Sequence, residues 1–229
     1  MFDKNFFEKT CVELTFSDKY DKEHAIRYYH KHQQGFWRKL SHWREEQMIR
    51  EALKTAADPL SVLDLPCGTG RFWSLLSENK ERRIYAADNS PHMIDAAISL
   101  QPIEITQKIH TFQSSAFDIQ VEDNAVDCVF CIRLLHHIGE HEHRLELLRE
   151  FHRVTRDTVI VSLWVDGNFK AWRRRQSEST GSHTQNNRFL VSRSDIEAEF
   201  KASGFDILEY HDFFPKYAMW RTYVLKKIS

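Results

Sequence analysis

Two glycines one residue apart, Gly68 and Gly70, close an apolar run that reads Val62-Leu63-Asp64-Leu65-Pro66-Cys67. Glycine lets a backbone turn sharply and lets a ligand lie against it without meeting a Cβ. A helix opening after such a turn adds unpaired N–H groups and the positive end of its dipole. Asp64 stands at the end of an apolar strand, where a carboxylate without a partner is costly. A second apolar run, Ile84-Tyr85-Ala86-Ala87, also ends in an acid, Asp88. It lies near the distance of about 20 residues at which a ribose-binding acid follows a glycine loop. Trp73 stands where a dinucleotide fingerprint has its third glycine, which argues against NAD-type helix packing. Farther on, His136 and His137 follow another apolar run. Imidazole titrates near neutral pH and can act as a base, although a histidine that only fixes a loop through backbone bonds fits equally well.

These residues need a frame that brings them to one edge. Strands are predicted at about 62–65, 84–88, 108–113, 126–132, 158–164, 205–213 and 219–227. Helices are predicted over 71–79, from Ser90-Pro91 to Leu100, over 142–154 and from Ser194 to Ser203. Serines at the N-cap, Pro91 at the first helical position and Gly204 at a helix end support these boundaries. The strand at 126–132 is apolar except for Asp127 and reads as central. Strands alternating with helices imply a parallel sheet with right-handed crossovers. The acids, the glycine turn and the histidines then all lie at the carboxyl ends of strands, where such sheets bind ligands. Cys128 and Cys131 stand three apart in a strand and face opposite ways, so they read as core residues and no metal is expected.

Asp64-Leu65-Pro66-Cys67-Gly68-Thr69-Gly70 resembles motif I of class I S-adenosylmethionine-dependent methyltransferases. Asp88-Asn89-Ser90-Pro91-His92-Met93 is similar to the motif after their second strand, and Leu134-Leu135-His136-His137-Ile138 to the segment after their fourth. The likeness covers about residues 45–165. It implies a Rossmann-like α/β fold with a seven-stranded, mostly parallel sheet, helices on both faces and an antiparallel C-terminal strand. It further implies S-adenosyl-L-methionine as cofactor. The cofactor residues it implies are Asp64, Pro66, Cys67, Gly68, Gly70, Asp88, Asn89, Met93, Ser115, Ala116 and Arg133. Two departures stand out. Pro66 takes a place that usually holds glycine, and Ser115 takes the place of an acid, although its hydroxyl can still accept a hydrogen bond.

The chain has 229 residues and a formal net charge of -1. That length accommodates one large domain with a real core, and the balanced charge gives no global field toward nucleic acid or anionic membranes. No apolar run approaches the roughly 20 residues of a spanning helix, and the N-terminus carries no signal-peptide pattern. Four cysteines without a framework point to a reducing, cytoplasmic setting. Oligomeric state is not encoded in any legible feature.

Residues 1–54 read as an N-terminal helical cap on a domain spanning 55–229. Its aromatic pattern runs through Tyr20, Tyr28, Tyr29, His30, Phe36, Trp37 and Trp43, with Gly35 dividing two helices. The pattern fits a packing stripe or, by the family resemblance, a lid over the cofactor. On that second reading Arg38 meets the cofactor carboxylate; on the first it is a solvated helix charge. Residues 166–193 interrupt the α/β alternation with a polar, basic stretch that has a local excess of four positive charges. It reads as a mobile loop or as a substrate lid in which Trp172, Arg173, Arg174 and Arg175, with Trp164, meet an anionic acceptor.

Three functions remain open on this reading. The first is methyl transfer to an oxygen or nitrogen of a small or lipid-like acceptor, with His136 or His137 as base if a proton must leave. The second is an RNA methyltransferase of the transfer-RNA wobble-uridine type, with the arginines on phosphates. The third is a non-catalytic, cofactor-binding partner subunit.

Overall fold

A computed structural model describes residues 36–179 and 188–228. The expected helices before residue 36, the break at Gly35 and the centre of the 166–193 stretch lie outside them. The elements in order are α1 (Phe36–Thr55), β1 (Ser61–Asp64), α2 (Trp73–Leu76), β2 (Arg83–Asp88), α3 (Pro91–Leu100), α4 (Ile103–Thr106) and β3 (Ile109–Gln113). They continue with β4 (Val126–Cys131), a 3-10 turn (Leu135–His137), α5 (His141–Val154), β5 (Thr155–Trp164), α6 (Phe169–Ser179), α7 (Arg193–Ala202), β6 (Phe205–Asp212) and β7 (Trp220–Lys227). The seven strands run β3-β2-β1-β4-β5-β7-β6 across one sheet. The first five pair in parallel, and β7 runs antiparallel to both β5 and β6. This is the expected Rossmann-like architecture.

The alternation of strand side chains builds two cores, one on each face. Leu63, Val129, Cys131, Val159, Val161 and Leu163 pack on one side with Leu147, Leu148 and Phe151 of α5 and Ile196 and Phe200 of α7. Val62, Cys128, Phe130 and Ile160 pack on the other with Ile49, Ala52 and Leu53 of α1, Trp73 and Leu76 of α2 and Ile94 and Ala97 of α3. Cys128 and Cys131 thus fall in different cores, as strand geometry requires. The second half of α1 belongs to the same core as the sheet, so residues 45–55 do not form a separate cap layer.

Three elements differ from expectation, each for a local reason. The helix after the glycine turn spans only Trp73–Leu76, not 71–79. The buried Arg82 guanidinium takes the Leu76 carbonyl at 2.9 Å and the Pro59 carbonyl at 2.8 Å, which satisfies the helix end early. α7 starts after Ser192, not Ser194. The first N–H, of Arg193, donates to Asp166 Oδ1 at 3.1 Å, so a carboxylate from outside the helix does the capping. The stretch expected as a loop contains the eleven-residue α6. Asn168 precedes it and accepts the Ala171 N–H at 3.0 Å, an N-cap bond the basic composition concealed.

Candidate functional site

The strand order reverses between β1 and β4, and a cleft of about 390 Å³ opens beyond the carboxyl ends of the strands there. Ligands of open α/β sheets bind at such a reversal, because neighbouring loops turn away to opposite faces.

One end of the cleft is built by β1, β2 and the turn after β1. Gly68 and Gly70 adopt φ of +54° and +69°, conformations that penalise any side chain. Nothing lies within 4 Å of where a Gly68 Cβ would stand, whereas a Cβ on Gly70 would sit 2.7 Å from the Trp73 ring. Gly68 therefore keeps the cleft open, and Gly70 allows close packing beneath it. Trp73 Nε1–H donates to Asp64 Oδ2 at 3.1 Å. Tryptophan at the third-glycine position thus partners the buried carboxylate. Burial pushes the Asp64 carboxyl well above its usual range, the Trp73 bond opposes this and the Asp88 charge adds to it. Asp88 accepts Gly68 N–H at 3.0 Å on one oxygen and Ser90 N–H at 2.9 Å on the other. Burial raises its carboxyl too, against those backbone bonds. Each carboxylate oxygen retains a second acceptor direction. Pro66, Cys67, Asn89, Met93, Ser115 and Ala116 complete this end. Ser115 Oγ accepts Phe117 N–H at 3.2 Å. Burial pushes the Cys67 thiol up, so it is not a nucleophile.

A charge cluster borders the middle of the cleft. Glu45 of α1 is 2% exposed. Its Oε2 accepts Arg71 Nη2 at 2.6 Å and Arg133 Nη2 at 2.8 Å, and its Oε1 accepts Arg133 Nε at 2.9 Å. Burial alone would raise the Glu45 carboxyl, but Arg133 and Arg71 outweigh it and hold it below its ordinary value. Arg71 Nε also donates to His42 Nδ1 at 3.3 Å, and burial followed by the Arg71 charge lowers the His42 imidazole. One buried carboxylate thus accepts from two guanidiniums. Arg71 and Arg133 both line the cleft. Arg133 itself holds φ +70° with its N–H on Ser162 Oγ at 3.0 Å, a left-handed conformation uncommon outside glycine and asparagine. Arg38 is exposed at the start of α1 and outside the lining. Arg71 and Arg133 line the cleft instead.

The far end is aromatic. Trp164 at the end of β5 lies opposite Trp220 at the start of β7 in the antiparallel register. His136 stacks on Trp164 at 5.4 Å and meets Trp220 edge-on at 4.9 Å, and the His137 ring lies 4.2 Å away. Burial, then His137, Arg188 and Arg133, lowers the His136 imidazole to about 2, so His136 is neutral. The buried His136 Nδ1 and Trp220 Nε1 have no hydrogen-bond partner among the described residues. The guanidiniums of Arg174 and Arg188 each lie 5.4 Å from the Trp164 ring centre, and Arg133 lies 5.1 Å from that of Trp220.

The arginine triplet does not converge. Successive helical residues point about 100° apart, so Arg174 turns to Trp164, Arg175 pairs with Asp166 at 3.0 Å, and Arg173 is exposed. Trp172 is exposed on the outer side and outside the cleft lining. Sequence reading missed Glu45 and Arg71, and it saw Arg188 and Trp220 only as part of a basic stretch and an aromatic-rich tail. Arg71 had a signal, as the residue directly after the glycine turn. Trp220 reaches the site only through strand pairing, and Glu45 only through tertiary burial.

Among the described residues no helix is long and apolar enough to cross a membrane, and no cluster could hold a metal ion. Comparison with known proteins adds four findings. Residues 62–158 match a family model described as a methyltransferase domain. An uncharacterized methyltransferase-like protein of Schizosaccharomyces pombe is 27% identical over 151 residues, which is 65% of this chain and 55% of that protein. The match thus spans about half the relative's length. Magnesium protoporphyrin IX methyltransferase of Synechocystis PCC 6803, solved with bound SAH, superposes with a TM-score of 0.73 at 14% identity, covering 93% of this chain and 98% of that one. A complex of the Haloferax volcanii Trm112 methyltransferase activator with a candidate methyltransferase gives a TM-score of 0.63 at 15% identity, covering 96% and 100%. Identities this low establish a shared fold.

Proposed function

We propose, from the premise that residues 62–158 form a methyltransferase domain of the class I fold, that this protein transfers the methyl group of S-adenosylmethionine to an oxygen or nitrogen of a small or lipid-like, anionic acceptor. The observation that carries the reading is one continuous cleft with two chemically different ends. The Gly68–Asp88 end offers an open backbone and paired acceptors for ribose hydroxyls. Arg71 and Arg133, both lining the cleft, suit the cofactor's carboxylate. Met93 and Ser115 line the space left for the adenine. The Trp164–Trp220–His136 end is left for an acceptor, with Arg188 and Arg174 favouring a negative one.

The cofactor supplies an activated sulfonium methyl, so the protein mainly aligns the two reactants and excludes water. The half-buried Trp164 and Trp220, with the buried His136, do the excluding. His136, neutral and without a partner at Nδ1, serves to orient the acceptor's polar group. His137, half-buried beside it, is placed to take a proton if the accepting atom must lose one. Arg174 lies over Trp164 and Arg175 pairs with Asp166, which supports a small acceptor over a row of phosphates.

Calorimetry with S-adenosylhomocysteine tests the cofactor half and is expected to show one site. Cell extract incubated with methyl-labelled cofactor tests the transfer half. The label is expected in a small-molecule or lipid fraction, and Trp164→Ala is expected to abolish it while sparing homocysteine-product binding. A protein that binds neither form of the cofactor, or that labels only RNA, would refute the reading.

A further inference from the structure

The outer side of α6 and the loop before β7 form one surface. Phe169 N–H donates to the Lys216 carbonyl at 2.9 Å and Lys170 N–H to the Tyr217 carbonyl at 3.0 Å, so the two segments are held together by their backbones. Their aromatic side chains stay outside. Phe169 is 47% exposed, Trp172 58%, Phe214 49% and Tyr217 48%. Single exposed apolar residues are ordinary, but a contiguous aromatic patch marks an interaction site. The charge pattern is one-sided. α6 and residues 213–219 contain Lys170, Arg173, Arg174, Arg175 and Lys216 against one acid, Glu178 near the end of the helix. Arg174 lies over Trp164 and the exposed Arg175 pairs with Asp166, and Lys170, Arg173 and Lys216 are exposed as well.

We propose that this surface docks on an anionic lipid bilayer, with Phe169, Trp172, Phe214 and Tyr217 entering the headgroup region and the three cations meeting lipid phosphates. Exposed aromatics rimmed by lysine and arginine are the composition that lies in a membrane interface. Long cationic side chains can bury their stems beside the rings and keep their charges at the phosphates. The ring geometry favours lipid over nucleic acid. Tyr217 is stacked on Phe169 at 5.7 Å with an interplanar angle of 11°, Trp172 leans on Phe169 at 5.8 Å, and the Lys170 ammonium lies 5.2 Å from the Tyr217 ring centre. Rings already engaged with one another in this way are a poorer platform for stacking bases than separate, open rings. Because Arg174 of the same helix lies over Trp164, the docked face borders the aromatic end of the cleft. An amphiphilic acceptor can then enter from the bilayer side. The docking does not depend on the proposed chemistry and is testable without it.

The test is co-sedimentation of the full chain with phosphatidylcholine vesicles, with and without phosphatidylglycerol. Binding is expected only to the anionic vesicles and is expected to fall steeply with salt. Each removed cation should weaken partition roughly fivefold, so Lys170→Glu with Lys216→Glu should abolish it. Thermal melting checks that this variant is folded, and Lys170→Gln with Lys216→Gln substitutes if it is not. Brominated lipids should quench a part of the tryptophan fluorescence that disappears in Trp172→Phe. No sedimentation with anionic vesicles overturns the proposal, as does sedimentation that survives both charge variants. Salt-sensitive binding of single-stranded RNA without vesicle binding would reassign the surface to nucleic acid, and a dimer that buries Trp172 without vesicle binding would reassign it to a second copy of the chain.

Discussion

Replacing Glu45 by glutamine keeps the shape of the side chain and removes the charge that holds Arg71 and Arg133. Three charge-assisted hydrogen bonds end on this carboxylate, each worth about 1.5–3 kcal/mol when judged alone. They share one acceptor group and are not additive. Removing one member of a buried pair costs about 3–5 kcal/mol. Here the arginine side chains are 19% and 32% exposed, so water recovers part of the loss. The expected destabilisation is therefore about 3 kcal/mol, or roughly 6–12 °C in Tm for a chain of this size. Urea unfolding of wild type and Glu45→Gln between pH 3 and 8 measures it. Because Arg133 and Arg71 hold the folded Glu45 carboxyl below its ordinary value of 4.5, the native state binds that proton less readily than the unfolded chain. The gap between the two proteins should be full above that value and shrink as pH falls from 4.5 through the lower folded value. A gap under about 1 kcal/mol, or one that is unchanged by acidification, would show that the cluster does not hold the fold as its geometry implies.

Asp88→Ala removes the acceptors proposed for two ribose hydroxyls and should weaken S-adenosylhomocysteine binding by about 1–3 kcal/mol; unchanged affinity by calorimetry in a folded variant would sink that assignment. The two glycines should separate. Gly68→Ala meets open space, so its stability cost is about the 1–2 kcal/mol of a left-handed conformation, while its methyl projects into the cofactor's space and lowers affinity. Gly70→Ala adds a clash at 2.7 Å with the Trp73 ring and should be clearly the less stable of the two by thermal melting. Equal stabilities would mean that Trp73 yields easily. His136 binds no proton in the native state until about pH 2, whereas an unfolded histidine does so near 6.5. Wild type should therefore lose stability relative to His136→Gln as pH falls below about 6.5, by up to about 1.4 kcal/mol per pH unit; parallel stability–pH curves would refute the buried, neutral state.

What the sequence by itself determined was whatever is written in local pattern. Gly68 and Gly70 announce a turn because few other residues accept their positive φ, and Asp88 ends β2 in a run whose alternation is visible without coordinates. The strands were legible as apolar runs between turn signals, their joining into one seven-stranded sheet was what the family resemblance implied, and the separation of Cys128 from Cys131 followed from strand geometry. Pairings across long sequence distance were decided only by tertiary structure. Glu45 reads as one more charge on a helix until the sheet buries it and Arg133, 88 residues away, comes to neutralise it. Trp220 joins the cleft because β7 turns back antiparallel to β5 and sets it opposite Trp164, a register no local pattern encodes. The arginine triplet looked like one anion site because adjacency in sequence suggests adjacency in space. Asn168 instead nucleates a helix there, and the helical twist turns the three guanidiniums to three different surroundings.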